Sequence, residues 1–197
     1  MMNIKERYDH LLAVISSERF LKKRGLGNEL PFFICPYNPG EAVEVESRNA
    51  ILKKKLASMR ITIQEINLYD LSLDILGQRG RLEALLEIEP ASSRDEILDF
   101  LRGALDPEER LVPAISELLR RDQHDVLFLT GAGEVYPYIR SHSVLNNLHA
   151  IAGDKPLVMF FPGEYRISPE EGASLDLFSR LHDDKYYRAF NIFHFHP

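Results

Sequence analysis

The chain has 197 residues, 45% of them hydrophobic, with 30 acidic against 24 basic side chains and a formal net charge of −6. That length allows one sizeable core, so one α/β domain spanning 1–197 is the expectation. The acidic balance has the wrong sign for neutralising phosphates, which leaves weak, nonspecific contact or none for DNA met by the chain alone. The N-terminal Met-Met-Asn-Ile-Lys-Glu-Arg holds no apolar signal segment, and no apolar run nears the roughly 20 residues of a bilayer crossing. No membrane is expected, and the location read from this is cytoplasmic. The single cysteine, Cys35, sits in an apolar run, excludes an internal disulfide and fits a reducing compartment.

Taken in order, Tyr8, Leu11, Leu12 and Ile15 recur at helical spacing and predict an amphipathic helix over about 3–23. It ends near Lys22, Lys23, Arg24 and Gly25, where cations suit the carbonyl end of the helix dipole. Phe32 to Cys35 predict a first strand, stopped by Pro36 and Pro39, because proline cannot donate to a central ladder. A helix over about 41–58 is expected to turn Ile51, Leu52 and Leu56 inward and Arg48 and Lys53 to Lys55 outward. Ile61 to Leu68 predict a second strand. The long stretch from there to Val126 exceeds a simple crossover and predicts a helical insertion at about 70–121. Within it, Ser93-Arg-Asp-Glu96 reads as a capping box, and Asp106-Pro107-Glu-Glu109 places a cap, a first-turn proline and acids in helix-start order. Helices at about 94–104 and 107–121 follow, with Leu82, Leu85 and Leu86 suggesting another before Pro90.

The apolar run Asp125-Val-Leu-Phe-Leu-Thr130 breaks at Gly131-Ala-Gly-Glu134. A helical pattern then leads to a second apolar run, Pro156 to Phe161, which breaks at Pro162-Gly-Glu-Tyr165. Unalternating runs joined by a helix read as a βαβ crossover of parallel strands buried on both faces. Ser168-Pro-Glu-Glu171 predicts a short helix toward Leu181, and Ala189 to Phe195 a last strand. The fold expected is a mostly parallel sheet of about five strands flanked by helices, Rossmann-like or P-loop-like without a Walker A motif. Functional groups in such sheets gather at the carboxyl ends of strands, which places Thr130 to Tyr136 and Pro162 to Arg166 on one rim.

Three strand ends are followed by a Gly-Glu pair: Gly40-Glu41, Gly133-Glu134 and Gly163-Glu164. If these carboxylates converge, they form a rim able to hold a divalent cation, the basis for a metal-dependent hydrolase or nuclease. The competing reading is that each glycine makes a turn and each glutamate complements a helix N-terminus. Thr130-Gly-Ala-Gly-Glu lacks the Gly-Lys-Ser/Thr of a phosphate loop, Tyr136 stands where a dinucleotide fingerprint needs a small residue, and Glu134 repels phosphate. No nucleotide cofactor is expected, and an ATPase in its own right ranks below the other readings. His194 and His196 would share one side of a terminal strand but lack a third ligand nearby. His142, Cys35, Ser141 and Ser143 have no partners in a nucleophile–base order.

Tyr136, Tyr138, Tyr165, Tyr186 and Tyr187, with Arg140, Arg166 and Arg188, are typical interface anchors, against the alternative of core packing. The candidate partner surface is Glu134, Tyr136, Tyr138 and Arg140 with Glu164, Tyr165 and Arg166.

The strings Leu-Phe-Leu-Thr-Gly-Ala-Gly-Glu-Val-Tyr-Pro-Tyr-Ile-Arg-Ser-His (127–142), Val-Leu-Asn-Asn-Leu (144–148), Pro-Leu-Val-Met-Phe-Phe-Pro-Gly-Glu-Tyr (156–165) and Tyr-Tyr-Arg-Ala-Phe-Asn-Ile (186–192) resemble the BrxB family of bacterial BREX phage-defence systems. The resemblance is strongest from about 125 to 192. It implies a small non-catalytic adaptor acting beside an ATPase, a DNA methyltransferase and a PglZ-type, alkaline-phosphatase-like protein, the last being the expected partner. It implies no cofactor and carries over no catalytic residue. A homodimer stays open beside these partners.

Overall fold

A computed structural model of the chain describes residues 2–24, 31–78, 80–121, 123–149, 151, 155–168, 172–179, 181–182 and 189–197. The first helix, α1 (Ile4–Ile15), starts at a capping box in which Asn3 and Glu6 exchange hydrogen bonds of 2.8 and 2.9 Å. Ser16 ends it, and Ser17 caps a separate α2 (Glu18–Leu21) by accepting from the Phe20 N–H at 3.2 Å. The one helix expected over 3–23 is therefore two, because serine side chains compete with the helical ladder.

Strand β1 (Phe32–Tyr37) does not stop at Pro36 as expected. The Leu157 N–H donates to the Pro31 carbonyl, so alternation along the strand turns Pro36 to the opposite side, where pairing among the described residues reaches Phe33 and Ile34. A missing N–H is tolerated at such an uncovered edge. Helix α3 (Ala42–Ser58) buries Val45, Asn49, Leu52 and Leu56, one clean helical stripe. Ile51, expected inward, lies off that stripe and is 53% exposed.

Strand β2 (Ile63–Asn67) passes without a loop into α4 (Leu68–Gln78), a helix the leucines at 82–86 gave no hint of. Then come α5 (Arg81–Ile88), α6 (Arg94–Ala104) behind its Ser93–Glu96 capping box, and α7 (Val112–Arg121), entered through a turn capped by Asp106. The predicted helical insertion is thus these four helices. The remaining elements are β3 (Val126–Thr130), α8 (Ser141–Leu148), β4 (Leu157–Ser168), β5 (Gly172–Leu177), β6 (Leu181–His182) and β7 (Phe190–Asn191).

Five strands form a parallel sheet in the order β2-β3-β4-β1-β7, and β5 and β6 extend the far end of β4 in antiparallel pairing. The fold is α/β and mostly parallel, as expected. Two expectations fail beside it. β4 runs straight through Pro162 and Gly163, and the helix predicted toward Leu181 is replaced by β5, whose Leu175 and Leu177 are buried at strand spacing. The last strand is only two residues long and gives way to a turn at Ile192–His194.

Both faces of the sheet are covered, which is why the strands read as unbroken apolar runs. Phe32, Ile34, Leu127, Leu129, Met159 and Phe161 face one core with residues of α4, α7 and α8. Phe33, Cys35, Val126, Phe128, Val158 and Phe160 face the other with α1 and α3. The helix after β1 therefore departs to one face, and the helix after β2 to the opposite one.

Candidate functional site

That divergence opens a cleft of about 790 Å³ over the carboxyl ends of the strands, between α3 and α4. Tyr37, Asn67, Thr130 and Gly131 line it from the strand ends, Glu46, Asn49 and Lys53 from α3, and Asp70 and Asp74 from α4, with Glu65 and Glu134 beside them. Lys53 is ion-paired with Glu65, which also accepts from the Thr130 hydroxyl at 3.1 Å. Asn67 Oδ1 accepts from the N–H groups of Tyr69 and Asp70 at 2.8 and 3.3 Å, starting α4. A Cβ on Gly131 would lie 2.4 Å from that same oxygen, and its φ of +78° belongs to glycine, so the tight exit from β3 fixes this edge of the cleft.

Beyond Gly131 the loop buries Ala132, Val135 and Ile139, which leaves Glu134 and Arg140 exposed and Tyr136 and Tyr138 half-buried against the core. The Tyr136–Pro137 peptide is cis. Burial pushes the Tyr138 phenol up to about 12, with the Tyr69 and Glu134 charges adding to it. The loop abuts β4: a Cβ on Gly133 would stand 2.7 Å from Pro162 Cγ. The two stretches expected on one rim do meet.

On β4 the side chains alternate. Glu164 and Arg166 point outward and pair, with Arg166 Nε and Nη2 donating to Glu164 Oε2 at 2.8 and 2.5 Å. The hydrogen-bonding guanidinium holds the Glu164 carboxyl below the usual carboxylate range. Tyr165 points inward. It is 7% exposed, donates its hydroxyl to the Ala189 carbonyl at 2.7 Å, and burial pushes its phenol up to about 12. Of the seven residues expected on a partner surface, Tyr165 is thus a core residue. Tyr186, Tyr187 and Arg188 lie outside the described residues.

The three Gly-Glu carboxylates do not converge. Glu41 pairs with Arg7 at 2.6 Å, Glu164 with Arg166, and Glu134 stands at the cleft. Among the described residues, no group of three or more His, Cys, Asp or Glu is placed to hold a metal ion. A helix-N-terminus role suits Glu41, which precedes α3, but not Glu164, which lies within a strand. His194 sits in the terminal turn rather than on a strand, and His196 lies edge-on to His10 at 6.4 Å. His142 contacts Ser143 at 3.2 Å. Burial pushes the Cys35 thiol up to about 12. Sequence reasoning missed Asn49, Asn67, Asp70 and Asp74; the signal available for Asn49 was an amide on the apolar stripe of α3.

Fold and site define an α/β protein with helices on both sheet faces and a polar, acid-rimmed cleft at the carboxyl ends of its parallel strands. A family model described as BREX protein BrxB matches residues 64–192. A BREX protein BrxB of Bacillus cereus (strain H3081.97) is 38% identical over 196 residues, covering 98% of each chain. A BREX protein BrxB of Escherichia coli O9:H4 (strain HS) is 27% identical over 189 residues, 96% of this chain and 91% of that one. No solved structure matches. The chain belongs to the BrxB family, and so is a component of a BREX system, which implies a part in phage defence with other BREX components as partners. Among the described residues no helix is long and apolar enough to cross a membrane.

Proposed function

We propose that this chain is a non-catalytic adaptor of its BREX system, engaging a PglZ-type partner through the rim formed by the 134–140 loop and the outward face of β4. The observation that carries the reading is the loop itself. Its apolar residues anchor it to the core while Glu134, Tyr136, Tyr138 and Arg140 remain at least partly open beside Glu164 and Arg166. Aromatic and guanidinium groups held this way lose little entropy on binding and are typical anchors. The DNA methyltransferase and ATPase of such a system, and a second copy of this chain, are further partners to probe with the same bait.

The test is copurification of the tagged protein from cells expressing its neighbouring genes. Tyr136→Ala and Arg140→Glu should each cost about 2 kcal/mol or more of binding, roughly thirtyfold in affinity, and strip the PglZ-type protein from the eluate. Thermal melts should show both variants folded. Undiminished recovery of that protein with both variants overturns the rim as its contact.

A further inference from the structure

Phe178 stands where the two halves of the rim meet, in a backbone conformation that its residue type resists. It follows Leu177, the last residue of β5 and 3% exposed, yet Phe178 itself is 37% exposed. Its φ is +54° and that of Ser179 is +55°, the left-handed region that a bulky side chain rarely enters and that Asn or Gly adopts with little strain. The other exposed large hydrophobics among the described residues have no positive φ; Val43 and Ile51 lie within α3, and Leu86 within α5. The turn asks for no aromatic side chain, since Asn and Gly are what left-handed turn positions prefer. A strained residue kept against turn chemistry points to a use for its side chain.

The surroundings of Phe178 tie it to both halves. Its N–H donates to the Pro162 carbonyl at 2.8 Å, which fixes its backbone to β4. A Cβ on Gly133 would lie 3.2 Å from the ring Cε1, and one on Gly163 would lie 3.0 Å from the Phe178 nitrogen. Two of the three Gly-Glu pairs therefore meet at this residue through their glycines, although their carboxylates stay apart. The next residues along the chain, Glu134 and Glu164, keep charge beside the ring. Glu164 is paired with Arg166 and also takes a hydrogen bond from the Ser179 side chain. An aromatic ring bordered by charged and hydroxyl groups has the anatomy of an interface anchor inside a polar edge.

We propose that Phe178 is the apolar anchor of the rim, inserted into a hydrophobic pocket of the partner protein that the rim engages. The proposal rests on the adaptor reading above and adds to it a residue and the chemistry of the surface that receives it. With its amide bonded to Pro162 and its ring set against Gly133, Phe178 has little freedom left to lose on binding, and such preorganisation favours affinity. The partner surface that fits is an apolar pocket whose border offers groups to both a carboxylate and a guanidinium.

The experiment is biolayer interferometry of the tagged full chain against the purified PglZ-type protein of the same system, with a thermal melt of every variant. Phe178→Ala and Phe178→Gly should each bind about tenfold more weakly or worse, while Phe178→Tyr, which keeps the ring, should stay within about threefold. Leu86→Ala removes a side chain that is 59% exposed on α5 and should change binding by no more than about twofold. Phe178→Gly should melt above Phe178→Ala, the reverse of the ordinary order, because glycine sheds the left-handed strain that alanine keeps. If Phe178→Ala does not fold, Phe178→Gly decides the binding. Full retention of the partner by Phe178→Gly overturns the anchor. If Tyr136→Ala and Arg140→Glu then lose the partner, the adaptor reading stands without Phe178; if they too retain it, the rim falls as a whole. A parent chain that does not bind the PglZ-type protein overturns both readings. Equal loss with Leu86→Ala, or a Phe178→Gly midpoint below that of Phe178→Ala, overturns the anchor alone.

Discussion

The chain leaves β3 and crosses the middle of β4 at neighbouring points of the sheet, through similar residues, and does opposite things. After Thr130, Gly131 turns to φ +78° and the backbone drops out of the ladder at once. After Phe161, Gly163 stays at φ +157° and β4 continues in antiparallel pairing with β5 as far as Ser168. Both glycines are crowded, by different neighbours. A Cβ on Gly131 would meet the end of the Asn67 side chain at 2.4 Å, whereas one on Gly163 would meet the Asp176 backbone carbonyl at 2.2 Å. Glycine here marks another segment's approach, and that segment decides whether the chain turns or runs on. The turn leaves Glu134 and Arg140 exposed; the continuation buries Tyr165.

The sharpest break of that comparison is at Tyr165. If the hairpin exit is core and the loop exit is surface, Tyr165→Ala should lower stability by about 4 kcal/mol, the usual loss for a buried aromatic. Tyr165→Phe should lose about 1 kcal/mol, the net worth of the bond to Ala189. Urea unfolding measures both. A Tyr165→Ala midpoint close to that of the parent chain would place this tyrosine with Tyr136 as a surface anchor.

Next in size are the two glycines. Gly163→Ala sets a Cβ against backbone that cannot step aside and should cost about 3 kcal/mol. Gly131→Ala is strained by its left-handed φ but can push the Asn67 side chain away, for a loss of about 2 kcal/mol. Because Asn67 also starts α4, Gly131→Ala should loosen the first turn of that helix as well, whereas Gly163→Ala should not. Equal stability losses in both variants, with the first turn of α4 equally protected from hydrogen exchange, would erase the distinction between the exits.

The same contrast sets what can be read from residues alone. The parallel core is legible because β1, β3 and the first half of β4 are apolar on both faces, and in a chain with no membrane-length run such strands belong to a sheet covered on both sides. Capping at Ser93 and Asp106 is legible because those bonds close within a few residues. The hairpin is not, because Ser168-Pro-Glu-Glu171 satisfies the rules for a helix start locally, while pairing of Arg166 with Ser174 and Glu164 with Asp176 depends on partners that only the folded sheet brings together. Ile51 is misplaced because a helix stripe is set by the cylinder it packs against, and the choice among Ile51, Leu52 and Leu56 shifts with its rotation. In the site, the loop tyrosines are legible as residue types, but Tyr165 falls on the wrong face when Pro162 is read as the end of β4. The cleft acids come from α3, α4 and the β3 exit, and nothing short of the topology assembles them.

The smallest effect expected is at the outer edge of the hairpin. Arg166→Gln removes the partner of Glu164 and a 3.7 Å contact with Asp176, but the pair is well exposed and screened by solvent, so the loss at neutral pH should be smaller than that of Tyr165→Phe. Its pH dependence carries a definite sign. The Glu164 carboxyl is held below its unfolded value, first by the hydrogen bond from Arg166, so the folded state binds its proton less readily than the unfolded chain does. The contribution is therefore complete above the ordinary carboxylate range and disappears as the pH falls through the lowered folded value. Urea unfolding of parent and variant at neutral pH should show a small difference in midpoint that closes on acidification, and closes also at neutral pH in high salt. A difference that widens toward low pH would mean that Arg166 stabilises the hairpin through something other than the ionised Glu164, the close Asp176 carboxylate being the first group to examine.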